Sequence, residues 1–163
     1  QRQGNAHPSI VPYQVFESAD GHLVLAVGND GQFARFCAVA GRAELATDPR
    51  YATNTERVRH RDALVAVVQQ LLRARGTAAW VDALEAAGVP CAPILDIGQV
   101  FADPQVVARG LQRAAAGATP PTVLNPMRFD GHRPQAARPA PALDADGDTI
   151  RGWIARHGRW PGA

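Results

Sequence analysis

Two short runs of strand-forming residues on either side of an Asp-Gly turn place the strongest constraint on the fold of this chain. Residues 13–17 (YQVFE) and 22–27 (HLVLAV) have the length and the β-branched and aromatic content of strands. Asp20-Gly21 between them favours a tight turn, because glycine tolerates the positive φ that hairpin turns need. The sequence therefore predicts an antiparallel hairpin and, with it, a small antiparallel sheet.

Apolar residues at helical spacing follow the hairpin. The first predicted helix begins with Asn29 or Asp30 as N-cap and ends at Gly41. Pro90 and Pro93 exclude a helix from residues 89–94 and limit them to an extended or edge segment. Further helices are predicted at about 55–75, 77–87, 96–101, 104–109 and 146–157.

The composition changes after Gly110. Residues 114–145 are rich in Ala, Pro and Gly and have few large apolar side chains, so they cannot form a core of their own. We predict an α+β fold with a small antiparallel sheet and several helices, followed by an extended C-terminal arm and a terminal helix. The predicted segments are a linker or flap at 1–10, a small α+β domain at 11–110, the arm at 111–145, and the C-terminal helix and tail at 146–163.

Composition narrows the classes of function. The 17 basic residues are all arginine and are scattered along the 163 residues, with a net charge of +2, which does not favour nucleic-acid binding. No window approaches the roughly 18 consecutive apolar residues of a membrane span. The five histidines show no metal-ligand spacing, and the two cysteines no disulfide or metal motif. We expect no metal, no nucleic-acid or membrane partner, and a reduced cytoplasmic setting.

Two polar segments are candidates for function. In Gly28-Asn29-Asp30-Gly31-Gln32, free N–H groups at a helix start favour anions, although a plain N-cap and turn is the simpler interpretation. Gly4-Asn5-Ala6-His7-Pro8 has the character of an active-site flap or of a plain linker. Cys91 lies between two prolines with no adjacent base, and Cys37 lies on an apolar helical face. The residues alone leave the function open.

Several motifs, in order and with matching spacing, resemble the class III CoA transferases, the CaiB/BaiF group. The likeness covers about residues 4–130 and rests on four stretches together. They are GNAHPSIVPYQVFESADGHLVLAVGNDGQF, DPRYATNTERVRHRDAL, W-x-x-x-L-x-x-A-G-V-P-C-A-P-I and DPQVVARG.

The resemblance implies transfer of coenzyme A between an acyl-CoA thioester and a small carboxylic acid. Its members are interlocked homodimers with a large CoA-binding domain and a smaller α+β domain. The chain begins at Gln1 and not at Met, and no Asp matches the context of the family's nucleophile. We therefore expect this chain to be the small domain and C-terminal arm, with the CoA-binding domain and the nucleophilic aspartate outside it.

The resemblance also implies which residues line the active site. Gly4, Asn5 and His7 occupy the position of a glycine-rich loop that covers the reactive centre, and His7-Pro8 in place of glycines stiffens it. Asp30 aligns with an acidic position that faces the site in racemase relatives, and Gln32 is close enough in sequence to bind a carboxylate. Two alternatives remain open: a 2-methylacyl-CoA racemase of the same superfamily, and a non-catalytic binding or dimerisation module.

Overall fold

The computed structural model describes residues 4–113, 122–134 and 141–159. The chain is divided into two compact units, residues 1–95 and residues 96–163. The division falls inside the segment 11–110 that the sequence predicts as one domain. Parts of the predicted linker, arm and tail lie outside the described residues, namely 1–3, 114–121, 135–140 and 160–163.

A three-stranded antiparallel sheet forms one layer of the first unit. Its strands are β1 (Tyr13–Glu17), β2 (His22–Ala26) and β3 (Cys91–Pro93), in the order β1–β2–β3. The turn between β1 and β2 closes where the Ser18 N–H donates to the Gly21 carbonyl at 2.9 Å. The predicted hairpin is confirmed, and the proline-flanked segment at 89–94 supplies the edge strand β3.

Four α-helices and a short 3-10 turn complete the first unit. Two of the helices begin with a side-chain cap, because the Asn29 and Thr53 side chains accept N–H groups of the first turn. The helices are α1 (Asp30–Val39), α2 (Asn54–Arg59), α3 (Arg61–Leu72) and α4 (Thr77–Ala86), with the 3-10 turn at Ala43–Ala46.

The prediction of one helix over 55–75 is wrong, because the helix is interrupted at His60. The backbone of His60 (φ −105°, ψ 26°) leaves the helical region. Both its N–H and its ring Nδ1 lie within hydrogen-bonding distance of the Glu56 carbonyl, at 2.9 and 3.0 Å, which closes α2 at that point. The second part ends at Leu72, three residues earlier than predicted.

The hydrophobic core lies between the sheet and these helices. Phe16, Leu23 and Leu25 contribute from the strands at period-two spacing, and Trp80 donates its indole N–H to the Leu72 carbonyl at 2.8 Å. Among the described residues, every buried apolar side chain lies between Val11 and Val89. The described residues of the second unit therefore include no buried apolar side chain.

The second unit consists of short elements. Helices α5 (Ile97–Ala102) and α6 (Pro104–Ala108) are followed by a two-stranded antiparallel pair, β4 (Gln112–Arg113) with β5 (Thr122–Val123). Helix α7 (Gly147–His157) ends at Gly158, whose φ of +70° is the left-handed conformation of a helix C-cap. The α+β fold class and the terminal helix are confirmed, whereas the β4–β5 pair was not predicted.

Candidate functional site

The residues that the sequence singles out fall in two segments of the first unit. We call residues 4–12 the N-terminal segment and residues 27–32 the β2–α1 turn. The two segments meet where the Val27 N–H donates to the Pro12 carbonyl at 3.0 Å. The candidate residues are Gly4, Asn5 and His7 in the N-terminal segment, and Asp30 and Gln32 in the β2–α1 turn.

The N-terminal segment is bound to strand β1. Asn5 Oδ1 accepts the Val15 N–H at 3.0 Å, and the His7 N–H donates to the Tyr13 carbonyl at 2.9 Å. The His7 ring also stacks on the Tyr13 ring, with centroids 5.3 Å apart. Gly4 has a φ of +61°, a conformation that side-chain-bearing residues rarely adopt. These contacts give the segment a defined path along β1.

Two polar side chains from the helix pair α2–α3 also hold this segment. Arg61 Nη2 donates to the carbonyls of His7 and Pro8, at 3.0 and 2.9 Å. Asn54 Nδ2 donates to the Ser9 carbonyl at 2.8 Å. Sequence reasoning did not single out Arg61 or Asn54. The only signal for them is their place inside the motif DPRYATNTERVRHRDAL.

The β2–α1 turn uses its own polar groups for capping. Asn29 Oδ1 accepts the Gln32 N–H at 2.9 Å, and Gln32 Oε1 accepts the Gly28 N–H at 2.7 Å. This reciprocal pair resembles a capping box, except that Gln32 binds the N–H one residue before the N-cap. Of the two predicted N-caps, Asn29 is the one that the structure shows. Two N–H groups of the turn are therefore already satisfied within it, and the Gln32 side chain still has its amide NH₂ group for a ligand.

Asp30 forms an ion pair with Arg57, the one fully buried arginine among the described residues. Arg57 Nη2 donates to Asp30 Oδ1 at 2.7 Å, while Nε and Nη1 donate to the carbonyls of Val11 and Tyr51 at 2.7 and 2.9 Å. The guanidinium also lies over the Phe33 ring, 4.5 Å from its centroid. The Asp30 side chain is 55% exposed, so the carboxylate that pairs with the buried Arg57 is itself accessible from the surface.

Sequence reasoning also missed Arg57. The residue lies seven positions before Leu64, and both side chains are buried. The two residues lie on different helices, α2 and α3, so this spacing gave no signal, and an arginine is rarely buried.

The two cysteines lack the environment of a reactive thiol. Burial raises the pKa of the Cys37 thiol to about 11. Burial, and then the charge of Glu85, raise the pKa of Cys91, whose Sγ lies 3.8 Å from the Val81 carbonyl. A raised pKa keeps a thiol protonated at neutral pH and lowers its nucleophilicity. Core packing explains Cys37, as predicted.

The described residues contain neither a metal-binding cluster nor a membrane-spanning helix. In residues 4–113, 122–134 and 141–159, no group of three or more His, Cys, Asp or Glu side chains is placed to hold a metal ion. No helix in the same ranges is long and apolar enough to cross a bilayer.

The chain resembles proteins of known class over most of its length. A sequence model described as CoA-transferase family III matches residues 1–147. An acetyl-CoA:oxalate CoA-transferase of Acetobacter aceti is 38% identical over 151 residues, which are 92% of this chain and 38% of that protein. A succinate–glutarate CoA-transferase of Agrobacterium fabrum is 44% identical over 150 residues, which are 87% of this chain and 36% of that protein.

A solved structure gives the same answer for the fold. A CaiB/BaiF family protein from Brucella suis superimposes with a TM-score of 0.79 and 38% identity, covering 94% of this chain and 40% of that one. The chain therefore belongs to CoA-transferase family III, as its motifs led us to expect. It spans somewhat more than a third of the length of the two CoA-transferases described above.

Proposed function

We propose that this chain is the small domain and C-terminal arm of a class III CoA transferase, a protein that moves coenzyme A between an acyl-CoA thioester and a small carboxylic acid. The observation that carries the proposal is the 44% identity to a succinate–glutarate CoA-transferase, within a family match that covers residues 1–147. The names of the two relatives described above contain acetyl-CoA with oxalate, and succinate with glutarate. Oxalate, succinate and glutarate are short dicarboxylates, and we assign that class to the acid that accepts CoA.

The chemistry needs a nucleophilic carboxylate outside this chain. That carboxylate attacks the thioester carbonyl and releases CoA thiolate, leaving a mixed anhydride of the carboxylate with the acyl group. The thiolate then attacks the anhydride at the enzyme's own carbonyl, which releases the first acid and leaves CoA on the enzyme as a thioester. The second acid attacks this thioester, and the same two steps in reverse give the new acyl-CoA and restore the carboxylate. Our chain contributes the wall of the acid pocket through the N-terminal segment and the β2–α1 turn. The lining residues are Gly4, Asn5, His7, Asp30 and Gln32.

The exposed apolar side chains of the second unit support the proposal that another protein surface packs on this unit. Helices α5 and α6 bury no residue, and Ile97 and Val107 are 76% and 62% exposed. Such helices need a surface to pack on. We propose that this surface is a CoA-binding domain outside the chain, that the complete protein is an interlocked homodimer, and that it works in the cytoplasm.

Acyl exchange in the complete protein tests the proposal. The protein is incubated with succinyl-CoA and either glutarate or oxalate, and the acyl-CoA species are followed by mass spectrometry. We expect glutaryl-CoA or oxalyl-CoA to appear as succinyl-CoA disappears, and we expect the 163-residue chain alone to be inactive. Hydrolysis to free CoA without a new thioester contradicts the proposal.

The two alternative functions, a racemase and a non-catalytic module, predict different experimental results. A racemase would incorporate deuterium from D₂O at the α-carbon of a 2-methylacyl-CoA, without exchanging the acid. A non-catalytic module would do neither and would give a well-folded isolated chain in which residues 141–159 resist proteolysis.

A further inference from the structure

We propose that Arg57 is a positioning residue of this site, which fixes the Asp30 carboxylate and the N-terminal segment in one geometry. The inference rests on the proposed function, because Asp30 is a pocket residue only there. Its physical basis is independent of that function. It is the set of contacts made by a single buried guanidinium.

Arg57 connects three parts of the chain that are distant in sequence. Its Nε binds the end of the N-terminal segment at Val11, its Nη1 binds the loop before α2 at Tyr51, and its Nη2 binds the start of α1 at Asp30. The three acceptors lie 2.7–2.9 Å from their donors, in the normal range. A planar guanidinium offers donors in several fixed directions, whereas an ammonium is a compact point charge. Arginine therefore suits this junction and lysine does not.

The ion pair leaves Asp30 with two unlike oxygens. Oδ1 accepts the Arg57 hydrogen bond, and among the described residues no donor reaches Oδ2. Since the Asp30 side chain is 55% exposed, Oδ2 is the oxygen available to a ligand, in an orientation that Arg57 sets. The cation also offsets the negative charge of Asp30. That compensation reduces the repulsion between Asp30 and an anionic carboxylate substrate.

The same contacts make the N-terminal segment a fixed wall of the pocket. Asn54 Oδ1 accepts the Val11 N–H at 3.2 Å, next to the Val11 carbonyl that Arg57 binds. Arg61 holds the carbonyls at His7 and Pro8. Residues 7–11 are thus held to α2 and α3 by side chains of both helices, and we infer that they move with this helix pair and do not open as a separate flap.

The test uses Arg57→Lys and Asp30→Asn, singly and combined, in the complete protein that carries this sequence. Arg57→Lys keeps the charge and removes the planar set of donors. Hydrogen exchange measured by mass spectrometry reads the geometry directly. For Arg57→Lys we expect exchange at least about tenfold faster in peptides covering residues 7–13, 28–33 and 48–53, which hold its three acceptors, with other first-unit peptides unchanged.

Two control variants separate positioning from general destabilisation. Arg73→Lys makes the same chemical change in an exposed pair with Glu17, at the opposite end of β1 from Tyr13. Leu84→Val removes a methylene group from the buried face of α4. We expect Arg73→Lys to leave residues 7–13 and 28–33 unchanged and Leu84→Val to affect the first unit broadly. Unchanged exchange in Arg57→Lys, or the broad pattern of Leu84→Val, overturns the proposal.

Kinetics of CoA transfer supply the second readout. We expect Arg57→Lys to lower kcat/KM for the acid on the order of 10- to 100-fold, the size of effect that a small misplacement of a site group causes. Because Arg57 acts partly through Asp30, we expect the double variant to lose less kcat/KM than the product of the two single losses. Additive losses, or a kcat/KM equal to that of the unmodified protein, overturn the positioning role.

The two readouts separate this inference from the proposed function. If the unmodified protein transfers CoA and Arg57→Lys exchanges hydrogen and turns over normally, the positioning role is wrong and the function stands. If the unmodified protein transfers no CoA, the proposed function is wrong. Hydrogen exchange then still decides whether Arg57 fixes the geometry of Asp30 and residues 7–13.

Discussion

The two units of this chain differ in what holds their helices. In the first unit, helices α1, α3 and α4 bury apolar side chains against a three-stranded sheet. In the second unit, α5 and α6 bury nothing, and the only buried residue of α7 is Gly147. The difference shows that one stretch of this chain forms a hydrophobic core, whereas the other presents apolar side chains to its surroundings.

Local signals still define the helices of the second unit. Asp96 and Gln99 form a complete capping box at α5, and Asp103 with Pro104 begins α6. These signals select where a helix begins and ends. They do not replace tertiary packing, since isolated helices of five to eleven residues are marginal in water.

The largest effect is expected from removing a core aromatic ring. Phe36→Ala empties a fully buried position on α1, and we expect a loss of about 3–5 kcal/mol in the free energy of unfolding. Val107→Ala on α6 removes methyl groups that are 62% exposed, and we expect a change within about 0.5 kcal/mol. Urea unfolding of the 163-residue chain measures both.

Equal losses for the two substitutions would contradict the contrast between the units. Val107 would then have to be packed in the isolated chain as tightly as Phe36. A change of the denaturant m-value in either variant would instead point to an altered unfolded state, so the slopes are compared before the midpoints.

The second prediction concerns protection of α7. Its apolar residues Ile150, Trp153 and Ile154 are each more than a third exposed. If they pack on a domain outside this chain, amide hydrogen exchange in α7 should be on the order of 100-fold slower in the complete protein than in the isolated chain. Strand β2 serves as the internal reference, because its central position gives it hydrogen bonds on both sides. Equal exchange of α7 in the two samples contradicts the proposed packing.

The elements that the sequence predicted correctly are those with local causes. The hairpin follows from two strand-forming runs that meet at a short turn, although Gly21 does not adopt the positive φ that its prediction assumed. The end of α7 depends on Gly158, and the edge strand on Pro90 before it and Pro93 at its end. The interruption of the helix at His60 could not be predicted from a Gly or Pro, because neither lies near this position. It depends on the conformation of a single histidine and on its contacts with the Glu56 carbonyl, and helical periodicity does not report such contacts.

The candidate site shows the same limit. Family resemblance led to Asp30 and to the N-terminal segment, but not to Arg57, which connects them. The partners of Arg57 are backbone carbonyls at Val11 and Tyr51, and any residue type can provide a carbonyl. A sequence therefore carries no direct signal for such a contact, and only the folded chain identifies it.

The third prediction compares two N-caps. Asn29→Ala removes the side chain that accepts the Gln32 N–H at α1, and we expect a loss of about 1 kcal/mol in global stability. Asp96→Ala removes the equivalent acceptor at α5, which buries no residue. We expect that change to leave the urea midpoint unchanged and to accelerate hydrogen exchange only within α5. A fall in the midpoint for Asp96→Ala would show that α5 unfolds together with the core.

The smallest effect on the free energy of unfolding is expected from lowering the pH. Among the described residues, the carboxyl groups whose pKa is lowered all lie in the first unit, at Glu17, Asp20, Glu44 and Asp48. For Asp48, hydrogen bonds from the Arg50 side chain and N–H lower the pKa from 3.8 to about 2. The unfolded state then binds more protons than the folded state between these values. This contribution to stability is present above about pH 4 and is lost as the pH falls to about 2.

Two substitutions test this assignment from opposite sides of the Asp48–Arg50 pair. Asp48→Asn removes the titrating group, and Arg50→Gln removes the side-chain donor that lowers its pKa. Both should flatten the fall of unfolding free energy between pH 4 and pH 2, measured by urea unfolding at each pH. Because Asp48→Asn abolishes the titration and Arg50→Gln only shifts it towards 3.8, the first variant should flatten the curve at least as much. An unchanged slope in both variants would mean that other carboxyl groups of the first unit account for its acid sensitivity.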